Sequence, residues 1–539
     1  MAEKRVSAEE IFKEFKEHSI SEFFRKNRQM LGYAGKVRSL TTVVHEYVTN
    51  TLDACEEAGV LPEIIVKIKS TGEERYLLKV TDNGPGIPKK FVGKALANVL
   101  SGTKFQRYMQ QRGQQGIGAA GCTLFSQITT GKKIHVKSGT DKEAYECDIG
   151  ISIKDNKPVV ENIADLEKGS FKGLIVEAEF GGVKYENSDH GVAEYLKRTA
   201  LVNPHISVRL VDPEGKEMAF PRSVSEMPQR PKQIQPHPLG LESSDLLDFA
   251  HVTESTKISS FLVDSFARVT QNKITELKRL LPGIDLSKSP REMTWDDAEK
   301  LVLAFRKIKW IGPEMDSLSL IGEKQVEAAI RNILGPEFVS VVERKPKVFR
   351  GGIPFVVEIG VAYGGSAGRV TDGAVSGNIL RFANKVPLLF DGGTCGISEA
   401  VKGIQWKRYN IDDFEASPIS ILVSVCSVYI PYSGVGKQSV AQEEEIVEEI
   451  RLAVMDGLRS LQRYLSGIKN KNTQESKYNT IMRYVSQLSA DLSELTEIKS
   501  EIIEKELKSF VDKRYSALLA DEKAETAQEG SAVAEALED

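Results

Sequence analysis

A chain of 539 residues, 41 % hydrophobic and 27 % charged, has room for roughly three or four globular domains, and it holds no apolar run of the roughly 18–20 residues that a membrane span needs. The net charge of −4 excludes a globally basic nucleic-acid binder and leaves any DNA contact to local basic patches. The cysteines (Cys55, Cys122, Cys147, Cys395, Cys426) are scattered without a CxxC pair, which excludes a disulfide framework or a zinc site of the usual spacing; with the charged residues 1–10, which lack an apolar signal core, they predict a reducing cytoplasm and no export.

Residues 7–27 carry Ile11, Phe12, Phe15, Ile20, Phe23 and Phe24 at helical spacing and predict an arm that packs on its own domain or on a second copy. From about 40 to 220, helical periods alternate with strand-like runs at 64–68, 76–80 and 174–180, the pattern of an α/β sandwich. Pro221, Pro228, Pro231, Pro236 and Pro238 then forbid one helix or a central strand, which predicts a linker. Residues 243–335 are helix-patterned, with breaks at Pro282-Gly283, Pro290 and Gly312-Pro313, and predict a small helical insert. Strand-like runs return at 338–342, 354–362, 386–390 and 420–430, followed by long helices from 442 to about 519, a second α/β domain with a helical extension. Residues 523–539 are rich in Ala and Glu and predict a disordered tail. The expected boundaries are 1–230, 231–335, 336–480 and 481–539.

Three polar clusters stand between residues 45 and 121. In His45-Glu46-Tyr47-Val48-Thr49-Asn50-Thr51-Leu52-Asp53-Ala54, helical spacing sets Glu46, Asn50 and Asp53 on one face. A carboxylate there can orient and deprotonate a water, and an amide oxygen can complete a Mg2+ shell made otherwise of phosphate and water oxygens; an ordinary solvated helix face has the same spacing. In Asp82-Asn83-Gly84-Pro85-Gly86-Ile87-Pro88, Asp82 at a strand end can accept a hydrogen bond from an exocyclic amine such as that of adenine. Gly84 and Gly86 let backbone pass close to a flat base, or simply make a turn. In Gly113-Gln114-Gln115-Gly116-Ile117-Gly118-Ala119-Ala120-Gly121, spaced glycines before an apolar helix offer backbone N–H groups and a helix N-terminus to phosphate. Gly116, Gly118 and Gly121 formally satisfy the dinucleotide fingerprint, but the polar residues 105–112 ahead of them are no strand, and that reading is rejected. Ser101-Gly102-Thr103-Lys104 adds a hydroxyl and an ammonium just upstream.

In order and spacing the three clusters resemble the nucleotide site of the Bergerat-fold (GHKL) ATPases, which include gyrase-type topoisomerases, heat-shock-90-type chaperones, histidine kinases and MutL repair proteins. The resemblance implies ATP and Mg2+ as ligands, Glu46 as general base, Asn50 as Mg2+ ligand and Asp82, with Gly84 and Gly86 in its turn, as the adenine reader. It makes Gly113, Gln114, Gln115, Gly116, Ile117, Gly118, Ala119 and Ala120 the phosphate lid, with Thr103 and Lys104 beside it. One position departs from the family: where a Gly-Thr pair is usual on a later strand, this chain has Gly173-Leu174, without a hydroxyl.

Gly434-Val435-Gly436-Lys437-Gln438-Ser439 lies between a predicted strand and helix. It fails as a Walker A loop, because Pro431 stands where the first glycine belongs and Gln438 where Ser or Thr should hold Mg2+. Lys437 instead resembles the transducer lysine of topoisomerases and MutL, which reaches the γ-phosphate; a solvated loop lysine is the alternative. More closely still, the chain is similar to the B-subunit family of type IIB DNA topoisomerases (topoisomerase VI). The shared markers are the run from Ser19 to Asn27, Gln235-Pro236-His237-Pro238-Leu239-Gly240, Arg344-Lys345-Pro346-Lys347, Arg381-Phe382-Ala383-Asn384-Lys385-Val386-Pro387-Leu388 and Trp406-Lys407-Arg408-Tyr409.

That resemblance implies an α/β (α+β) chain: a Bergerat-fold ATPase sandwich, a helix-two-turn-helix insert, and a transducer domain of ribosomal-protein-like fold ending in long C-terminal helices. None of the 15 tyrosines sits in a recognisable cleavage motif, and Glu529-Gly530-Ser531-Ala532 has the wrong spacing for a cleavage-domain signature. DNA cleavage is therefore expected on a separate A subunit docked on the C-terminal helices, in an A2B2 heterotetramer. The ATPase domains are expected to self-dimerise on binding ATP and to act on double-stranded DNA, with Lys345, Lys347, Lys407 and Arg408 as candidate contacts and no membrane involved. The implied setting is a prokaryotic, archaeal nucleoid. Two alternatives are a MutL-like or chaperone-like ATPase without a cleaving partner, and a DNA-binding scaffold with a degenerate nucleotide site.

Overall fold

The computed structural model describes residues 32–98, 108–113, 116–152, 157–371, 373–434 and 436–515. The arm expected at 7–27, the residues Thr103, Lys104, Gln114 and Gln115, and the tail at 523–539 lie outside them.

The first domain grows from period-two alternation against an amphipathic helix. α1 (Lys36–Ala58) buries Leu40, Val43, Val44, Val48 and Leu52 along one stripe. In β1 (Glu63–Gly72) and β2 (Arg75–Asp82), Ile64, Val66, Ile68, Leu78 and Val80 face the same core, while Lys67 and Lys69 face outward. α2 (Val92–Ala97) and α3 (Gly118–Thr130) follow, then β3 (Ile134–Gly139), β4 (Ala144–Ser152), β5 (Lys157–Leu166) and β6 (Gly173–Gly181), then α4 (Val192–Val202), β7 (Ser207–Val211) and β8 (Glu217–Phe220). The eight strands form one sheet in the order β5-β4-β3-β6-β2-β1-β7-β8, in which β1 and β7 run parallel and every other neighbouring pair antiparallel. The face away from the core carries charged neighbours such as Lys79 and Glu177, 3.2 Å apart. This is the expected α/β sandwich. Edge strand β5 gives no alternating signal because most of its residues are exposed.

Residues 221–237 form no helix or strand, as their prolines require, yet they are bonded at both ends. The N–H groups of Ser223 and Val224 donate to the Pro204 carbonyl at 2.7 and 3.1 Å, Lys232 N–H to Ser317 at 2.9 Å, and Ile234 N–H to Tyr108 at 3.0 Å. The segment is a strap pinned to its neighbours. The helical insert that follows contains α5 (Ser243–Val252), α6 (Ile258–Ser265), α7 (Gln271–Leu280) and α8 (Trp295–Phe305), closed around Leu246, Phe261, Phe266, Leu277, Leu301 and Phe305. Capping boxes at Glu242/Asp245 and Thr294/Asp297 start α5 and α8. α9 (Glu323–Leu334) shares the insert's sequence pattern but not its core. Val326, Ile330 and Leu334 pack instead with Leu201 and Val202 of α4 and with Ala362, Leu380, Phe382 and Leu422 of a second sheet.

That sheet contains β9 (Phe338–Glu343), β10 (Lys347–Phe349) and β11 (Ile353–Tyr363); the separate hairpin β12 (Arg369–Thr371) and β13 (Ala374–Ser376) intervenes before β14 (Asn378–Ala383), β15 (Val386–Pro387) and β16 (Ile419–Ser427). The order is β10-β11-β16-β14-β15, with β9 also on β11, and β14 runs parallel to β16 through a crossover containing α10 (Gly396–Lys402). The strand expected at 386–390 reduces to the two residues of β15, where Pro387 cannot continue a ladder. The longer neighbour β14 gave no strand signal because buried Arg381 interrupts its apolar run. α11 (Glu444–Thr496) begins on this unit, where Arg344 donates to Glu449 and Asp456, each at 2.6 Å.

A second compact unit comprises Trp406–Asp412 and the described residues from Leu458 onward. Within it Gln462 donates to the Arg408 carbonyl at 2.7 Å, and Asn410 to Ser466 at 2.9 Å. A helix at 500–515 lies beside α11, with the Tyr478 hydroxyl donating to Asp512 at 2.7 Å. Among the described residues no helix is long and apolar enough to cross a membrane.

Candidate active site

A cavity of about 700 Å³ opens between α1, the end of β2, the start of α3 and the loop after β16, within the range of about 300–1,000 Å³ usual for ligand sites. Because α1 buries its apolar stripe against the sheet, Glu46, Asn50 and Asp53 are left on the cavity side, as their spacing predicts. Apolar groups from the other elements, including Val80, Ile87, Leu96, Leu174 and Val176, line the remaining wall.

Asp82 ends β2 at 8 % exposure with both carboxylate oxygens engaged. The Gly84 and Leu174 N–H groups donate to one oxygen at 2.9 Å each, and the Thr51 hydroxyl donates to the other at 2.9 Å. Burial pushes the carboxyl above the ordinary aspartate value, against the pull of these hydrogen bonds. The Thr51 hydroxyl of α1 thus holds one Asp82 oxygen, and Leu174 contributes through its backbone. Gly173 makes that possible: its φ is +118°, and a side chain there would overlap the Asp82 carbonyl. Gly84 is not part of the cavity wall; its N–H holds Asp82 from behind. Gly86 lies in the wall.

Among the lid residues, Gly113, Gly116, Ile117, Gly118, Ala119 and Ala120 line the cavity. α3 starts at Gly118, where a Cβ would overlap the Glu46 carboxylate, so the expected base and the helix N-terminus meet at closest approach. A terminal phosphate held by that N-terminus would sit beside Glu46. Glycine backbone, helix dipole and a single amide at Asn50 fit a magnesium triphosphate. Among the described residues no three His, Cys, Asp or Glu side chains form a metal cage.

Lys437, far along the chain, lines the same cavity together with Gly436 and Gln438. Its backbone is left-handed, φ +51°, and its N–H donates to Gly434 at 3.1 Å; the loop is closed by a bridge between Tyr432 and Val440. The His45 imidazole is held below its ordinary pKa by burial, with Glu46 opposing and Lys437 adding to that shift, which marks the ammonium as a neighbour of the His45-Glu46 turn. The second sheet also reaches α1 through Asp391, whose carboxylate accepts both Arg38 terminal nitrogens at 3.1 Å while the guanidinium lies 4.5 Å over Phe390. Thr51, Arg38 and Arg112 are cavity residues that the motifs did not flag. A hydroxyl and two guanidinium groups next to an expected nucleotide pocket were the available signals. Lys345, Lys347, Lys407 and Arg408 are all exposed.

A two-layer sandwich with a helix-borne acid and amide, a strand-end aspartate and a glycine-rich helix start defines an ATPase of the histidine kinase-, DNA gyrase B- and HSP90-like class, whose family profile matches residues 35–156. Residues 313–477 match the transducer of the topoisomerase VI B subunit. The chain is 42 % identical to the type 2 DNA topoisomerase 6 B subunit of Thermococcus sibiricus over 95 % of this chain and 97 % of that protein. It is 44 % identical to that of Methanothermobacter thermautotrophicus over 87 % of this chain and 90 % of that protein, and 42 % identical to that of Pyrococcus horikoshii over 91 % and 94 %. The chain belongs to the family of type 2 DNA topoisomerase 6 B subunits. None of these matches favours the chaperone-like or scaffold alternative.

Removing the Thr51 hydroxyl without changing shape, Thr51→Val, is expected to weaken ATP binding about tenfold, the usual scale for a hydrogen bond to a charged group. Calorimetric titration checks it. Because the Asp82 pKa is raised, its acceptor is lost, as pH falls, sooner than an ordinary aspartate would lose it. Adenosine, which carries no phosphate to titrate, should therefore bind progressively more weakly over that interval, and Asp82→Asn should abolish the pH dependence.

Proposed function

We propose that this chain is the ATP-switched clamp of a type II DNA topoisomerase, in which nucleotide state at the α1 cavity is passed to the second sheet. The observation that carries this reading is the convergence of Lys437 with Glu46, Asn50 and the glycine-rich start of α3 on one cavity.

In the proposed cycle the adenine amine donates to Asp82, and the apolar wall excludes water from the base. Gly113–Ala120, with Thr103, Lys104, Gln114 and Gln115, holds the triphosphate, and Asn50 offers its amide oxygen to Mg2+, which neutralises phosphate charge when bound. Glu46 orients a water and takes its proton as the water oxygen joins the terminal phosphorus and the bond to the bridging oxygen breaks. Lys437 pairs with the terminal phosphate while it is present and loses that contact on hydrolysis and release. The second sheet is thereby biased between two positions by a charge that the chain itself does not supply.

The rest of the assignment follows the family. The two α/β parts are an ATPase domain and a transducer, flanking the helical insert, with the proposed limits 1–230, 231–335, 336–480 and 481–539; the packing of α9 favours counting it with the transducer. The N-terminal arm pairs two ATPase domains when ATP binds, and an A subunit docks on the C-terminal helices to form an A2B2 complex that cuts and passes double-stranded DNA. Lys345, Lys347, Lys407 and Arg408 are candidate phosphate contacts, and the proposed setting is the cytoplasm.

Glu46→Ala should retain nucleotide binding while steady-state ATP hydrolysis falls about 10²–10⁴-fold, the usual contribution of a general base; unchanged turnover would remove Glu46 from the role. Lys437→Ala, mixed with an A subunit and supercoiled plasmid, should still bind ATP but lose ATP-dependent relaxation. Full relaxation by that variant would sink the switch.

A further inference from the structure

Immediately before the glycine-rich segment lies a buried polar knot that the proposed cycle does not use. The Arg112 side chain, 6 % exposed, donates to Asp53 at 2.8 Å and to the two Glu56 oxygens at 2.8 and 2.6 Å. Asp53 and Glu56 stand three positions apart on α1, the helix that carries Glu46 and Asn50. The remaining Arg112 contact, 2.7 Å to the Asn203 amide oxygen, leads away from α1. Asn203 in turn donates to the Lys385 carbonyl at 3.0 Å, in the turn between β14 and β15 of the second sheet.

The neighbours of Arg112 repeat the connection. Asn384 donates to the Gln111 carbonyl at 3.1 Å, and Gln110 exchanges two hydrogen bonds with the Ser319 backbone, 2.7 and 3.0 Å. The Lys385 ammonium, buried, donates to the Ser319 hydroxyl at 2.7 Å. Residues 110–112 are thus tied to α1 on one side and to the second sheet on the other. The receiving turn is conformationally committed: Asn384 and Lys385 are both left-handed, φ +48° and +63°, a conformation that non-glycine residues hold only when surroundings impose it. Burial alone would raise the Glu56 carboxyl, but the adjacent guanidinium and a hydrogen bond from His205 keep it well below the ordinary range.

We propose that Arg112 is a positioning residue that couples α1 to the second sheet by a route separate from Lys437, so that nucleotide binding at Glu46 and Asn50 alters the Asn384-Lys385 turn even without a lysine on the terminal phosphate. The proposal rests on the nucleotide reading of the cavity but not on the role of Lys437 or on DNA. The fork is essential to it: a lysine keeps the charge and cannot satisfy Asp53, Glu56 and Asn203 together.

The test is hydrogen–deuterium exchange of the full chain with and without saturating AMPPNP and Mg2+, with binding verified by calorimetry for each variant, read over residues 378–390. In the wild type and in Lys437→Ala, the analogue should slow exchange there by about 5–150-fold, the range of ordinary site-to-site coupling. In the Lys437→Ala background, Arg112→Gln and Arg112→Lys should abolish the response. Asn203→Ala, which leaves the Arg112 ion pairs on α1 and the Asn384–Gln111 bond intact, should weaken it, and carries the test if the Arg112 variants do not fold. The proposal is overturned if Lys437→Ala alone abolishes the response, if the wild type shows none, or if the Asn203→Ala double variant responds in full. Failure of the nucleotide reading itself is distinct: the analogue would then give no calorimetric binding to any variant, the wild type included.

Discussion

One buried guanidinium permits the packing on which the site depends. The C-terminal half of α1 carries Asp53 and Glu56 against a region that also holds His205, Asn203 and Lys385, all largely withdrawn from water. Two carboxylates there would be costly without a cation, and Arg112 meets both in a planar, charge-assisted geometry. Replacing such a network by apolar groups can be neutral, whereas removing one member leaves a charge stranded. The knot is therefore poor evidence of stability and good evidence of geometry: it fixes where α1 sits relative to the second sheet.

From that placement the cavity follows. With α1 fixed, its apolar stripe lies on β1 and β2 and its polar stripe faces the start of α3, so Glu46 meets Gly118 and Thr51 meets Asp82. The Thr51 hydroxyl holds one oxygen of the Asp82 carboxylate. Leu174 takes part through its backbone N–H, 2.9 Å from the same carboxylate.

The motifs made the centre of the site legible and left its supports hidden, for a physical reason. Glu46, Asn50, Asp82 and the glycines belong to short runs in which one local structure puts several groups on one surface, so spacing alone displays them. Thr51, Arg112 and Arg38 act across the chain, over gaps of 31 residues for Thr51 to Asp82 and 353 for Arg38 to Asp391, and no local period encodes such pairs. The fold divides the same way. Strands with alternating burial, β1 and β2, were visible; β5 at an exposed edge and β14 with its buried arginine were not. The prolines at 221–238 correctly forbade regular structure, but their sequence holds no sign of the Pro204, Ser317 and Tyr108 carbonyls that turn a linker into a strap.

The links between α1 and the second sheet differ in strength along the helix. Near its start the link is Arg38 to Asp391, a two-nitrogen guanidinium–carboxylate pair with side chains 22 % and 47 % exposed. Lys437 approaches beside His45, and its proposed partner there is the terminal phosphate. At the far end the Arg112 knot is buried and bonded many times over. At about 1.5 Å per residue, α1 is roughly 35 Å long, so these links are well separated. The knot holds the C-terminal half of α1 on the Asn384-Lys385 turn, whereas Lys437 and Gly118 line the cavity at the middle of the helix, beside Glu46.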